Sequence, residues 1–188
     1  LARCEALSRL TSEGLVEAEP NTGFRVAPIT QEELEALTRT RIAIECGCLS
    51  SAIAHGDLNR ETGIVATLFE LFRIGLEDPD DPARVNPGWV EAHRRFHEAL
   101  VAGCNSGWML RLHEILSAQS ERYRSAPGPL DRRKRDIAGE HKAIADAAIA
   151  RNAQAACTAM RYHLLKTTRI LVASQVARGA SETFAESA

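Results

Sequence analysis

The sequence predicts an all-α fold, an antiparallel six-helix bundle preceded by one short helix and a β-hairpin. Three observations carry this. All seven prolines fall at positions 20, 28, 79, 82, 87, 127 and 129, so 29–78, 88–126 and 130–188 lack the residue that breaks helix interiors. Alanine, leucine, glutamate and arginine, all good helix formers, fill those stretches. Polar breaks divide them into six segments, and short connections make neighbouring helices antiparallel.

The elements follow in order. From Arg3 to Gly14 there is a short helical pattern, with Ala6, Leu7 and Leu10 on one face and Gly14 as a C-terminal stop. Leu15–Glu19 and Phe24–Ala27 flank Pro20-Asn21-Thr22-Gly23, which predicts a β-hairpin with turn chemistry at its tip. A hairpin is not stable alone, so it must pack on something. The chain opens inside or beside a helix, and residues preceding Leu1 are expected to belong to the protein. Thr30-Gln31-Glu32-Glu33 is a capping box that starts a helix running to about His55. Asp57 or Asn59 caps a second, to about Leu76. A loop rich in Asp and Pro covers 77–88. A third helix spans about Trp89 to Ala102. Asn105-Ser106-Gly107 precedes a fourth, to about Arg124. Beyond Pro127-Gly128-Pro129 a fifth covers roughly 131–150 and a sixth 153–177, with Asn152 between them. The expected division is therefore 1–28, a helical domain over 29–178, and a small, polar, frayed tail over 179–188.

Composition narrows the function. The chain has 188 residues, 45% apolar and 26% charged, with a formal net charge of −2, so any nucleic-acid contact must come from a local patch rather than an overall basic field. No apolar run is long enough to span a membrane, and no leader pattern opens the chain. Five cysteines, an odd number without a CxxC pair, read as reduced thiols of a cytoplasmic protein. Cys46 and Cys48 lie two apart in a helix and point to different faces.

The chemistry lies in the histidines. Trp89, His93, Phe96, His97 and Leu100 form one apolar stripe at spacings of 4, 3, 1 and 3. Ile137, His141, Ile144 and Ala148 form another, and Ala156, Met160, His163, Leu164 and Thr167 a third. His141 lies 11 residues before Asn152 and His163 lies 11 after it. In an antiparallel hairpin both stand about 16 Å from the turn and can face each other. With His93 and His97 this makes a possible four-nitrogen site, suited to Zn, Ni, Cu or Fe(II). The alternative is four satisfied core histidines. His55 and His113 read as ordinary helix-end and stripe-flank residues. Arg41 lies on the inward stripe Leu34, Leu37, Arg41, Glu45, Cys48, and a buried guanidinium needs an anion. That anion is either Glu45, one turn on, or the carboxylate of a ligand held in bidentate fashion. The run Arg132-Arg133-Lys134-Arg135 reads as a solvated helix start. Phosphate loops and nucleophile motifs are not found. Glu140, next to His141, diverges from it on a helix and is a poor candidate base.

Together these residues bring a family into view. Glu5-Ala6-Leu7-Ser8-Arg9-Leu10, Glu13-Gly14-Leu15-Val16 and Gly23-Phe24-Arg25-Val26 resemble the end of the winged helix of GntR-type transcription regulators. Arg41-x-x-Ile44-Glu45, Phe96-His97, Glu140-His141 and Met160-x-x-His163 resemble the FCD effector domain of the FadR branch, in its shorter, VanR-like arrangement. The resemblance covers nearly the whole chain. It implies a bacterial regulator rather than an enzyme, whose bundle binds a divalent metal and a small organic acid and whose homodimer places two winged helices on operator DNA. It also implies metal ligation by His93, His97, His141 and His163, with zinc or nickel the expected metal. Arg41 is expected on the effector carboxylate, and Arg3, Asn21 and Gly23 on DNA. In two places the chain departs from the family pattern. The family's first metal ligand is usually an aspartate where this chain has His93, and an arginine usually stands where it has Cys4, with Arg3 adjacent. The start of the recognition helix lies outside the chain, so weak DNA binding is expected of these residues alone. The competing readings are a metalloenzyme with a bundle-core site and a sensor whose signal is the metal itself.

Overall fold

The computed structural model describes residues 5–7, 10–11, 16–19, 23–26, 30–82, 84–124 and 135–185, with side chains to Ser174 except that of Val26. Residues 5–7 and 10–11 are helical. Strands β1 (Val16–Glu19) and β2 (Gly23–Val26) pair antiparallel, Glu17 opposite Arg25 and Glu19 opposite Gly23. Gly23 enters β2 at φ 113°, a conformation side chains other than glycine's rarely adopt. Arg25 bridges Glu17 at 2.6 Å and Glu19 at 3.3 Å.

Six helices follow. α1 is Gln31–His55, α2 Leu58–Arg73, α3 Pro87–Val101, α4 Gly107–Arg124, α5 Ile137–Ile149 and α6 Ala153–Ala185. α1 is the central helix and packs against α3, α4, α5 and α6, while α2 packs against α3 and α5. The fully buried side chains include Leu49, Ile64, Phe96, Leu100, Ile144 and Met160, which form one core through five of the six helices. Thr30 caps α1 by accepting from Glu33 N at 3.2 Å, as expected, and the Glu33 carboxylate accepts from the Tyr123 hydroxyl at 2.8 Å.

Four boundaries differ from expectation, and the largest difference is that α6 runs on to Ala185 instead of ending at about 177, through most of the stretch expected as a frayed tail. α2 stops at Arg73, and the loop after it is pinned by an antiparallel bridge between Glu77 and Val85. α3 starts earlier, at Pro87, because Asn86 caps it and proline suits the first helical position. α5 starts later, at Ile137, where Asp136 accepts from Gly139 N at 2.8 Å. Between α5 and α6 the turn is tight, with Arg151 at φ 55° and Asn152 accepting from Ala155 N at 3.0 Å. Gly103 lets the α3–α4 turn close on the α1–α2 turn, since a Cβ there would stand 2.7 Å from Gly56 Cα. Among the described residues no helix is long and apolar enough to cross a membrane.

Candidate functional site

Three helices deliver the four histidines. His93 and His97 project one turn apart from α3, His141 from the middle of α5, and His163 from α6 at the same height. All four are at most 4% exposed. The His141 and His163 rings lie 4.7 Å apart, His93 and His141 5.0 Å, and His93 and His97 4.5 Å. One ring nitrogen from each falls within 4.8 Å of the others. Both nitrogens of His97 and Nε2 of His141 are buried without a hydrogen-bond partner among the described residues. Buried polar atoms are ordinarily satisfied, so unpartnered donors aimed at one point fit a ligand set. Burial, then the neighbouring histidines and arginines, push His93, His97 and His141 well below the ordinary imidazole range. Burial brings His163 down to about 4 against the opposing hydrogen bond of Glu140. The rings are therefore neutral at pH 7, the form that coordinates a metal.

Glu140 orients this cluster. Its Oε2 lies 2.9 Å from His163 Nδ1 and accepts from Arg135 at 2.6 Å, while Lys166 reaches Oε1 at 3.1 Å. Burial raises the Glu140 carboxyl, but these three partners outweigh it and hold it well below the usual range. An ionised carboxylate only accepts, so Nδ1 of His163 donates and Nε2 is left for the centre. The sequence reading missed this role. Glu140 does diverge from His141, as expected, but into contact with the next helix. Arg135 is corrected likewise: its side chain is 8% exposed and ion-paired, not solvated. Residues 132–134 lie outside the described residues.

A cavity of about 420 Å³ opens beside His93 and His97, with Arg41, His113, Ser117 and Arg124 on its other walls. Arg41 Nε and Nη2 both meet Glu45 Oε1 at 3.0 Å, so the pairing with the residue one turn on is real. His113 is 3% exposed and its Nε2 stands 3.2 Å from Glu45 Oε2, which places it in the site rather than on a stripe flank. Arg124, also missed, pairs with Glu121 and reaches the same cavity. Its signal was the polar stripe His113, Ser117, Glu121, Arg124 at spacings of 4, 4 and 3. Arg3 and Asn21 lie outside the described residues.

Glu45 sets a pH test. Burial raises its carboxyl, but the Arg41 charge and the His113 contact prevail and bring it to about 2, from 4.5. The unfolded chain then binds the proton more tightly than the folded one. The stabilisation is complete above pH 4.5 and is lost as pH falls towards 2, worth about 3 kcal/mol. Urea unfolding of wild type and Glu45→Gln between pH 6 and 3 checks this. The wild type should lose stability more steeply below pH 4.5, and parallel curves would remove Glu45 as the cause.

Thiols complete the interior. Cys46 Sγ lies 3.7 Å from the Cys157 carbonyl, and Cys48 is fully buried, so the two do face apart. Burial pushes both up to about 12, which makes them poor nucleophiles.

The likeness to known proteins agrees with this architecture. Residues 36–166 match the FCD domain. The uncharacterized HTH-type transcriptional regulator BphR of Paraburkholderia xenovorans is 36% identical over 160 residues, 85% of this chain and 65% of that protein. The HTH-type transcriptional repressor GlaR of Escherichia coli is 33% identical over 175 residues, 89% of this chain and 77% of that one. This chain thus spans 65% of the length of the first of these relatives. Among solved structures, E. coli McbR/YncC superposes with a TM-score of 0.72 at 18% identity, covering 89% of this chain and 77% of that one. A GntR family member from Pseudomonas syringae pv. tomato gives 0.65 at 20%, covering 96% and 72%. The fold is shared with both. On the match of its helical domain and on these relatives, the chain belongs to the GntR-type transcriptional regulators that carry an FCD effector-binding domain.

Proposed function

We propose that this chain is most of a bacterial, cytoplasmic, ligand-responsive regulator that works as a homodimer on operator DNA, and that His93, His97, His141 and His163 hold one divalent transition metal, zinc or nickel, beside a small carboxylate effector. The observation that carries this is the convergence of four buried imidazoles, two with unpartnered nitrogens, on the wall of a cavity that also presents Arg41 and Arg124. Neutral imidazoles leave the full charge of a bound metal uncompensated, and that charge supplies an anchor for an anion. Arg41 keeps its place through Glu45 and turns the same guanidinium to the cavity, so it holds the other end of the acid. Arg3, Asn21 and Gly23 are the proposed DNA contacts within this chain, short of the recognition helix that reads bases.

The test titrates zinc and nickel into the full-length protein with and without candidate carboxylates and reads operator binding. An acid that changes operator affinity only in the presence of metal supports the reading. A response to metal alone makes the protein a metal sensor, and no response to either removes the proposal. His93→Asp sharpens it. An aspartate cancels one charge of the metal, so the variant should keep a metal, shift its preference towards manganese and bind the acid more weakly. If metal content, preference and acid affinity all stay as in wild type, His93 is not a ligand.

A further inference from the structure

α2 is apolar on two opposite sides. Arg60, Ile64, Leu68 and Leu71 face the bundle, with Ile64 at 0% and Leu71 at 2% exposure. The other side carries Leu58, Thr62, Val65, Phe69 and Phe72, spaced 4, 3, 4 and 3. Leu58 is 69% exposed, Val65 54%, Phe69 66% and Phe72 47%. A strict 4-3-4-3 stripe is the seam by which one helix packs on another, and a helix that is apolar on both sides is ordinarily covered on both.

We infer that this seam is the homodimer contact, two α2 helices crossing antiparallel about a two-fold axis at Val65. The partner assignment rests on self-complementarity. In that register Leu58 meets the partner's Phe72, Thr62 faces the partner's Phe69, and Val65 meets its own copy. The antiparallel helix dipoles also face opposite poles. The four large side chains expose on the order of 500 Å² in each copy, so a symmetric pair buries about 1,000 Å², the size at which an interface becomes specific. α4 carries a shorter exposed row, Trp108, Leu112 and Ile115, but Arg111 stacks over Trp108 at 5.1 Å and the row spans two turns only.

This inference rests on the homodimer in the proposed function and names its face. The experiment is sedimentation equilibrium of this chain as wild type, Phe69→Glu, Ile115→Glu and Val65→Cys, with zinc binding measured on each as a check that the fold is kept. The wild type should be a dimer. Phe69→Glu should raise the dissociation constant at least a hundredfold, because each interface would bury two unpaired charges, while Ile115→Glu should leave it unchanged. Val65→Cys should form a disulfide-linked dimer under mild oxidation that the wild type does not form. A dimer that survives Phe69→Glu or is lost with Ile115→Glu overturns the α2 face and leaves the homodimer standing. A monomeric wild type at tens of micromolar overturns both, and neither result touches the metal and effector reading.

Discussion

Replacing His141 with alanine is expected to lower the affinity for zinc by more than about a hundredfold. His141 is 1% exposed, its Nε2 has no hydrogen-bond partner among the described residues, and its ring lies between those of His93 and His163, at 5.0 and 4.7 Å. Its loss removes one donor of four and leaves a polar hole beside Phe96, whose ring stands 5.3 Å away. Competition against a chromophoric chelator on metal-free protein measures the change. Glu140→Gln is the finer probe. An amide can donate to Nδ1 of His163 and so favour the tautomer that presents a proton to the centre, and about 10- to 100-fold should be lost. Unchanged zinc affinity in His141→Ala would reduce the cluster to core packing.

A second large effect is expected from Arg41→Leu, a loss of about 3–5 kcal/mol in stability. Glu45 is 0% exposed, and Arg41 is the guanidinium that balances it. Removing that charge leaves a buried carboxylate whose close contact among the described residues is His113, at 3.2 Å. The double variant Arg41→Leu/Glu45→Leu should recover most of the loss, because two apolar side chains of similar volume leave no buried charge behind. Urea unfolding of the metal-free protein decides, and a loss below about 1 kcal/mol in the single variant would mean that Glu45 takes its stability from His113. Arg41→Lys separates the ion pair with Glu45 from the proposed contact with an effector. A lysine keeps the charge near Glu45 and should spare the fold, yet a point charge cannot reproduce the fork on a carboxylate, so effector binding should weaken in calorimetry.

Periodicity along single helices determined much of this protein before any coordinates. It placed His93, His97, His141 and His163 on inward stripes, and the equal counts of 11 residues on either side of Asn152 set His141 opposite His163. Spacing is sufficient there because the hairpin turn is short and the rise per residue constant. Arg41 and Glu45 were legible for the same reason, one turn apart on one helix. Gly23 and the hairpin followed from turn chemistry.

Contacts between helices were decided only by the tertiary structure, because rotation and crossing angle depend on both partners. Glu140 points away from His141 on its own helix, and packing against α6 turns it onto His163. Arg135 precedes α5 as part of a basic run, and only the fold brings it onto Glu140 and out of water. His113 and Arg124 lie on a stripe that faces solvent or cavity according to where α1 and α3 stand. α2 makes the point most plainly: its sequence offers two apolar sides, and the bundle takes the one with Ile64 and Leu71 and leaves Val65 and Phe69 outside. A helix pattern states which residues share a side. Which side is buried is a property of the neighbours, and those are chosen by the whole chain at once.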